Sequence, residues 1–210
     1  MNSGLKRSSM GEPNLQGGRR TLILRTFFET VIFRAIFFAA PYDPAALERT
    51  ELARNHSGLP FGTAGSFFGG KTGTLGWGMG AALGVALACP GRKVVATIGD
   101  GSVMYAPQAL WTAAHYRLPI TYVVPNNSSY AILKSGMLSL DLASAKRGIY
   151  PGMDLVEPTI DYVGLARSLG VRAERVEKPA SLHDVLASCL AHPGPTLVDV
   201  AIDRGFKAML

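Results

Sequence analysis

The chain has 210 residues, 48% of them hydrophobic and 17% charged, with a formal net charge of +6. That length and composition fit one folded domain with a substantial core and exclude a disordered polymer. The charge also excludes a nucleic-acid platform: Lys6, Arg7, Arg19, Arg20, Arg25 and Arg34 stand against only Glu12 and Glu29 in the first forty residues. The remainder is nearly balanced and nowhere interleaves basic with aromatic side chains.

Residues 1–20, rich in Ser, Gly, Asn and Arg, read as disordered. TLILRTFFETVIFRAIFFAA, residues 21–40, is apolar enough to raise a membrane span. Arg25, Glu29 and Arg34 would each cost about 2.5 to 3.5 kcal/mol at the bilayer centre, and they also interrupt any signal-peptide core. The stretch therefore reads as an amphipathic helix with Arg25 and Glu29 paired at i,i+4, or as a sequence not native to the domain that follows. PYDPAALERTELARN is a polar connection, in which Glu48 and Glu51 read as surface carboxylates. Residues 1–57 thus form an N-terminal extension, and residues 58–210 the domain.

The domain opens with the glycine-dense LPFGTAGSFFGGKTGTLGWGMG, in which no strand is evident, and then the small-residue helix AALGVALAC, ended by Pro90-Gly91. KVVATI reads as a strand, APQALWTAAHY as a helix and ITYVV as a second strand stopping at Pro125-Asn126-Asn127. After a loop come a helix from Asp161, the strand VRAERV, a helix opened by a capping box at Ser181–Asp184, and the strand TLVDVAI. Alternation of this kind predicts an α/β fold with a doubly wound, mostly parallel sheet, whose ligands bind at the carboxyl ends of the strands. His115 ends the first crossover helix, and His183 and His192 flank the late one. Cys89 and Cys189 lack any disulfide or zinc spacing, which fits a reducing, cytoplasmic setting.

Asp100 follows the first of the two strands and Asn127 the second. A carboxylate and an amide oxygen at neighbouring strand ends make a hard-oxygen site suited to Mg²⁺, with phosphate oxygens and water completing the shell. Gly99 and Gly101 let the backbone turn and approach phosphates, while Ser102 adds a hydroxyl and an N–H. Gly-Asp-Gly alone is an ordinary turn and Asn-Asn alone an ordinary loop. Here each terminates an apolar strand, with a helix between them, and the pair points to a diphosphate clamp.

GDGSVMYAPQALWTAAHYRLPITYVVPNN resembles the fingerprint of thiamine-diphosphate-dependent enzymes, GDG followed at about this spacing by NN. GSFFGGKTGTLGWG, GDGS, ALWTAA and NNSSYAIL are similar in order to the C-terminal domain of benzoylformate decarboxylases, from about Gly65 to about Ile202. The resemblance implies that Asp100 and Asn127 bind Mg²⁺ by their side chains and Ser129 by its carbonyl. It implies that Gly101, Ser102 and Tyr130 touch the diphosphate, that Gly73 offers its carbonyl to the aminopyrimidine, and that Leu75 lies beneath the cofactor as an apolar wedge. Ile132 and Leu133 would line the substrate pocket.

In that family the glutamate that activates the cofactor sits on a separate pyrimidine-binding domain. No catalytic residue is therefore assigned to this chain, and alone it is expected to be a poor catalyst. The expected activity is that of a carboxy-lyase acting on 2-keto acids, in an oligomer whose partner domain or subunit supplies the glutamate, without membrane or nucleic acid. A fragment of a single-chain enzyme is favoured over the diphosphate-binding subunit of a split or acetolactate synthase-like enzyme. An NAD- or nucleotide-binding module, suggested by Gly76-Trp-Gly-Met-Gly80, is the alternative of another class, with Gly-rich helix packing the simpler account of those glycines.

Overall fold

The computed structural model describes residues 36–40, 67–69 and 74–207. One six-stranded sheet organises them, in the order β2-β1-β3-β4-β6-β5. The elements are β1 (Ile36–Ala40), β2 (Phe67–Gly69), α1 (Trp77–Ala88), β3 (Lys93–Thr97), α2 (Asp100–Val103), α3 (Ala109–His115) and β4 (Ile120–Asn126). Then follow α4 (Ala131–Ser139), α5 (Ala143–Lys146), α6 (Tyr162–Ser168), β5 (Arg172–Val176), α7 (Pro179–Ala191) and β6 (Thr196–Ala201).

Strands β3, β4, β6 and β5 run parallel, as the alternation of apolar runs and helices predicts. Pleating divides their side chains between two cores. On one face Val94, Ala96, Ile120, Tyr122, Val124, Ala173 and Leu197 meet α1, α3 and α6. On the other, Val123, Val176, Val198 and Val200 pack with Leu182 and Cys189 of α7. Helices therefore cover both faces, and the fold is a doubly wound α/β sheet.

The expected amphipathic helix over 21–40 is corrected in its last turn. Ile36–Ala40 is a strand that pairs antiparallel with β3 on one side and β2 on the other. A run of aromatic and β-branched residues favours the pleated conformation, and pairing there satisfies the outer backbone groups of β3. Residues 21–35 lie outside the described residues. Phe67–Gly69 likewise adds a strand ahead of the glycine-rich loop, where none was evident.

Three further differences concern boundaries. Pro125 and Asn126 belong to β4, pairing with Val200 and Ala201 of β6. Proline is tolerated in this central strand because β3 stops opposite Val123. Val123 accepts from the Ile98 N–H on the β3 side, and Pro125, two residues on, turns its missing donor to that same vacated side. Helix α7 starts at Pro179 instead of a capping box at Ser181, since proline is pre-set for the first helical position; the Ser181 hydroxyl donates to the Lys178 carbonyl instead. Finally, α4 and α5 occupy a stretch read as loop.

Among the described residues both cysteines are free thiols, and no helix is long and apolar enough to cross a membrane. His115 is the last residue of α3, His183 lies exposed within α7 and His192 follows its end.

Candidate functional site

Two parallel neighbours, β3 and β4, end at the same edge of the sheet and deliver Asp100 and Asn127 there. Ile98 still bonds to β4 through Val123 O, and Gly99 then turns the chain into the short helix α2. Asp100 is 3% exposed, and one of its carboxylate oxygens is fully buried with no hydrogen-bond partner. Burial pushes its carboxyl up to about 6, against the pull of the backbone N–H groups of Gly101, Ser129 and Ser128. A second anchor fixes the backbone: the buried Tyr162 hydroxyl donates to the Asp100 carbonyl at 2.9 Å.

The β4 end is shaped by its own amides. Asn127 Oδ1 accepts from the Ser129 N–H at 3.1 Å, and Asn126 Oδ1 accepts from the Ser128 N–H at 3.0 Å. Two successive side-chain turns of this kind bring Ser128 into the left-handed region, at φ 52°. Ser129 then faces Asp154 in an antiparallel bridge whose hydrogen bonds belong to its neighbours: Tyr130 N–H donates to Met153 O, and Leu155 N–H to Ser128 O. The N–H and C=O of Ser129 are thereby kept out of the bridge. Its carbonyl accepts no hydrogen bond from the described residues.

The predicted residues that fall among the described ones can now be placed. Gly99 has φ −59°, a conformation open to any residue, so its turn does not demand glycine. The space where its Cβ would stand is free of described atoms within 4 Å, which leaves the backbone approachable there. At Gly101 a Cβ would lie 2.4 Å from the Tyr130 ring, so glycine is required by contact and not by backbone angle. Ser102 is more engaged than expected, since its N–H donates to Gly99 O and its hydroxyl accepts from Gly76 N–H at 2.8 Å. Its hydroxyl proton is the group left to meet a ligand.

Tyr130 caps α4 and sets its ring edge-on to Tyr105, 6.4 Å between centroids. Leu75 and Ile132 are half-buried, and Leu133 is exposed. Gly73, Glu48 and Glu51 lie outside the described residues. The glycine-rich loop nevertheless reaches the site through Gly76, at φ 83°, whose Cβ would come within 2.5 Å of Tyr105 Cβ.

A cation fits this arrangement on its own terms. The buried carboxylate oxygen lacks a partner, the neighbouring amide and carbonyl oxygens are hard donors, and a positive charge would relieve the burial that holds the Asp100 carboxyl up. No cluster of three or more His, Cys, Asp or Glu side chains that could hold a metal ion exists among the described residues.

Sequence reasoning missed Tyr162, Asp199 and Arg175. Tyr162 follows Asp161, recognised only as a helix start, whose carboxylate does accept from Gly164 N–H. Nothing local in the sequence pointed to the other two.

Three comparisons bear on what this geometry serves. The family described as "Thiamine pyrophosphate enzyme, C-terminal TPP binding domain" matches residues 53–200. A putative acetolactate synthase large subunit of Mycobacterium tuberculosis is 38% identical over 136 residues, covering 62% of this chain and 25% of that protein. The benzoylformate decarboxylase of Pseudomonas aeruginosa is also 38% identical over 136 residues, covering 65% and 24%. Among solved structures, a thiamine diphosphate-dependent 4-hydroxybenzoylformate decarboxylase of Rhodococcus jostii superposes with a TM-score of 0.65 at 29% identity, over 97% of this chain and 36% of that one. The chain spans about a quarter of the length of these curated relatives.

Proposed function

The chain belongs to the thiamine pyrophosphate enzyme family as a C-terminal TPP binding domain, and we propose that it holds the cofactor's diphosphate through Mg²⁺ for a 2-keto-acid decarboxylase of the benzoylformate type. The observation that carries the metal assignment is the buried, unpartnered oxygen of Asp100. With the Asn127 side-chain oxygen and the Ser129 carbonyl it makes the protein's share of an oxygen shell.

Around that centre the remaining residues divide the work of binding. Gly99, where no described atom stands within 4 Å of a would-be Cβ, leaves the backbone open to phosphate oxygens, Gly101 makes room for the Tyr130 ring beside it, and Ser102 and Tyr130 would offer hydroxyl donors at the same edge. Gly73 and Leu75 would receive the ring end, the first as a hydrogen-bond acceptor and the second as an apolar support. Ile132 and Leu133 follow the metal loop directly and would meet the substrate. When bound, thiamine diphosphate supplies the electron sink for loss of carbon dioxide from a 2-keto acid. The chain's own part is to bind and orient it, and the activating glutamate is proposed to come from a pyrimidine-binding domain in an oligomer.

Equal identity to a putative acetolactate synthase supports a second reading, in which the same clamp serves carboligation of 2-keto acids. The family assignment leaves the NAD-module alternative without support. Calorimetric titration of the full chain with thiamine diphosphate, in Mg²⁺ and then in EDTA, tests the clamp. Binding that vanishes with EDTA is expected; equal binding in both, or tighter binding of NAD, would overturn it.

A further inference from the structure

The loop that bears Asn127 and Ser129 is held from behind by polar contacts that no metal or phosphate role uses. Pleating places Arg175 of β5, Asp199 of β6 and Asn126 of β4 on one face of the sheet, the face of α1, α3 and α6. Arg175 donates from Nη1 to Asp199 Oδ2 at 2.5 Å. Asn126 donates from Nδ2 to Asp199 Oδ1 at 2.9 Å. On its other side, Asn126 Oδ1 accepts from the Ser128 N–H at 3.0 Å and from the Ser128 hydroxyl at 3.2 Å. Asp199 is 1% exposed.

An amide side chain can face either way, and this chain of contacts leaves it no choice. The Asp199 carboxylate accepts only, so it draws the NH₂ end of Asn126 and presents the carbonyl end to Ser128. A flipped amide would set N–H against N–H at Ser128 and leave a buried carboxylate short of a donor. Ser128 sits in the left-handed region, which an L-residue occupies only where its surroundings hold it there. Ser128 in turn sets where Ser129 stands beside Asp100.

We infer that Asp199, held by Arg175, is a positioning residue for the metal loop: it fixes the Asn126 amide and through it the backbone of Ser128 and Ser129. The link to metal affinity rests on the proposed Mg²⁺ site, whereas the positioning of the loop does not.

The experiment compares amide ¹H–¹⁵N spectra of the full chain in EDTA for the native protein, Asp199→Asn, and Asn126→Asp combined with Asp199→Asn. The single variant offers Asn126 an amide in place of a carboxylate, so the signals of Ser128 and Ser129 should move or broaden while those of Ala173 and Leu197 hold. The combined variant restores a donor facing an acceptor at both joints, with an oxygen left for Arg175 and an oxygen for Ser128, and should bring both signals back. Serine signals that stay put in the single variant, or that the combined variant fails to restore, would overturn the inference. The native chain carries its own check: the Asn126 NH₂ must exchange slowly with solvent, and exchange at the rate of a free amide overturns it as well. Titration with Mg²⁺ should then show affinity lowered about 10- to 100-fold in the single variant and recovered in the combined one. A native chain that ignores Mg²⁺ while its amides behave as stated would sink the metal site and leave the positioning role standing.

Discussion

Replacing Asp100 with asparagine separates the folding cost of this site from its use. Burial raises the carboxyl from 3.8 to about 6, so the free protein holds this proton more tightly folded than unfolded. Its stability contribution is therefore greatest below the unfolded value and falls as pH rises through 6, by about 3 kcal/mol for a shift of about two units. Asp100→Asn removes that charge. It also puts an NH₂ group where the partnerless oxygen stood, at a cost of about 1 to 2 kcal/mol. The variant should then be more stable than the native chain by about 1 to 2 kcal/mol at pH 8, and less stable by a similar amount near pH 4.

Urea unfolding in EDTA, followed by circular dichroism at both pH values, gives the comparison. The useful quantity is the change in the stability difference between the two pH values, because packing costs common to both cancel. It should be about 2.5 kcal/mol, because pH 4 already lies just above the unfolded value. A difference that stays constant within about 0.5 kcal/mol would refute the buried-charge reasoning, since linkage allows no other outcome for a carboxyl so displaced. Added Mg²⁺ at pH 8 should stabilise the native chain and not the variant.

Gly76→Ala forces an L-residue to φ 83° and drives its Cβ into Tyr105 Cβ, so thermal unfolding should show a loss of about 2 to 3 kcal/mol; a loss under about 0.5 would mean the loop sits elsewhere. Lys134→Met keeps the buried stem but removes the ammonium group, 2.7 Å from Asp154. The Lys134 hydrogen bond is the first cause holding the Asp154 carboxyl below its usual range, and Arg204 contributes less. Side-chain titration by NMR should find the Asp154 midpoint raised in the variant, and an unmoved midpoint would assign the pairing to Arg204 alone.

The parts of this site that could be read in the sequence are those where a local signal and a tertiary demand coincide. VVATIGDG and ITYVVPNN each show an apolar run closed by turn residues, and both deliver their polar side chains to the same sheet edge. Strand β2 escaped notice because it is three residues long and ends in glycine. Helix α4 did so because Ser135, Gly136 and Ser139 lower its intrinsic preference, which packing overrides. Asp199 is the most telling omission. Within TLVDVAI it is a lone carboxylate in an apolar run, with no partner near it in sequence. Only the insertion of β6 between β4 and β5 sets it beside Asn126 and Arg175.

That insertion also explains how the site divides its labour. The groups assigned to the metal stand on the ends of central parallel strands, are buried, and are braced by side chains from β6 and α6. The residues assigned to the ring and the substrate are less enclosed: Leu75 and Ile132 are half-buried, and Leu133 is 41% exposed. Rigid strand ends hold ligand oxygens to the tolerance a metal shell demands, while an open apolar rim takes its final shape from whatever surface closes over it. If the proposed function holds, cofactor affinity should depend on the sheet and its bracing, and substrate choice on whatever surface closes over the rim. The proposed clamp is then compatible with relatives named both as a benzoylformate decarboxylase and as a putative acetolactate synthase.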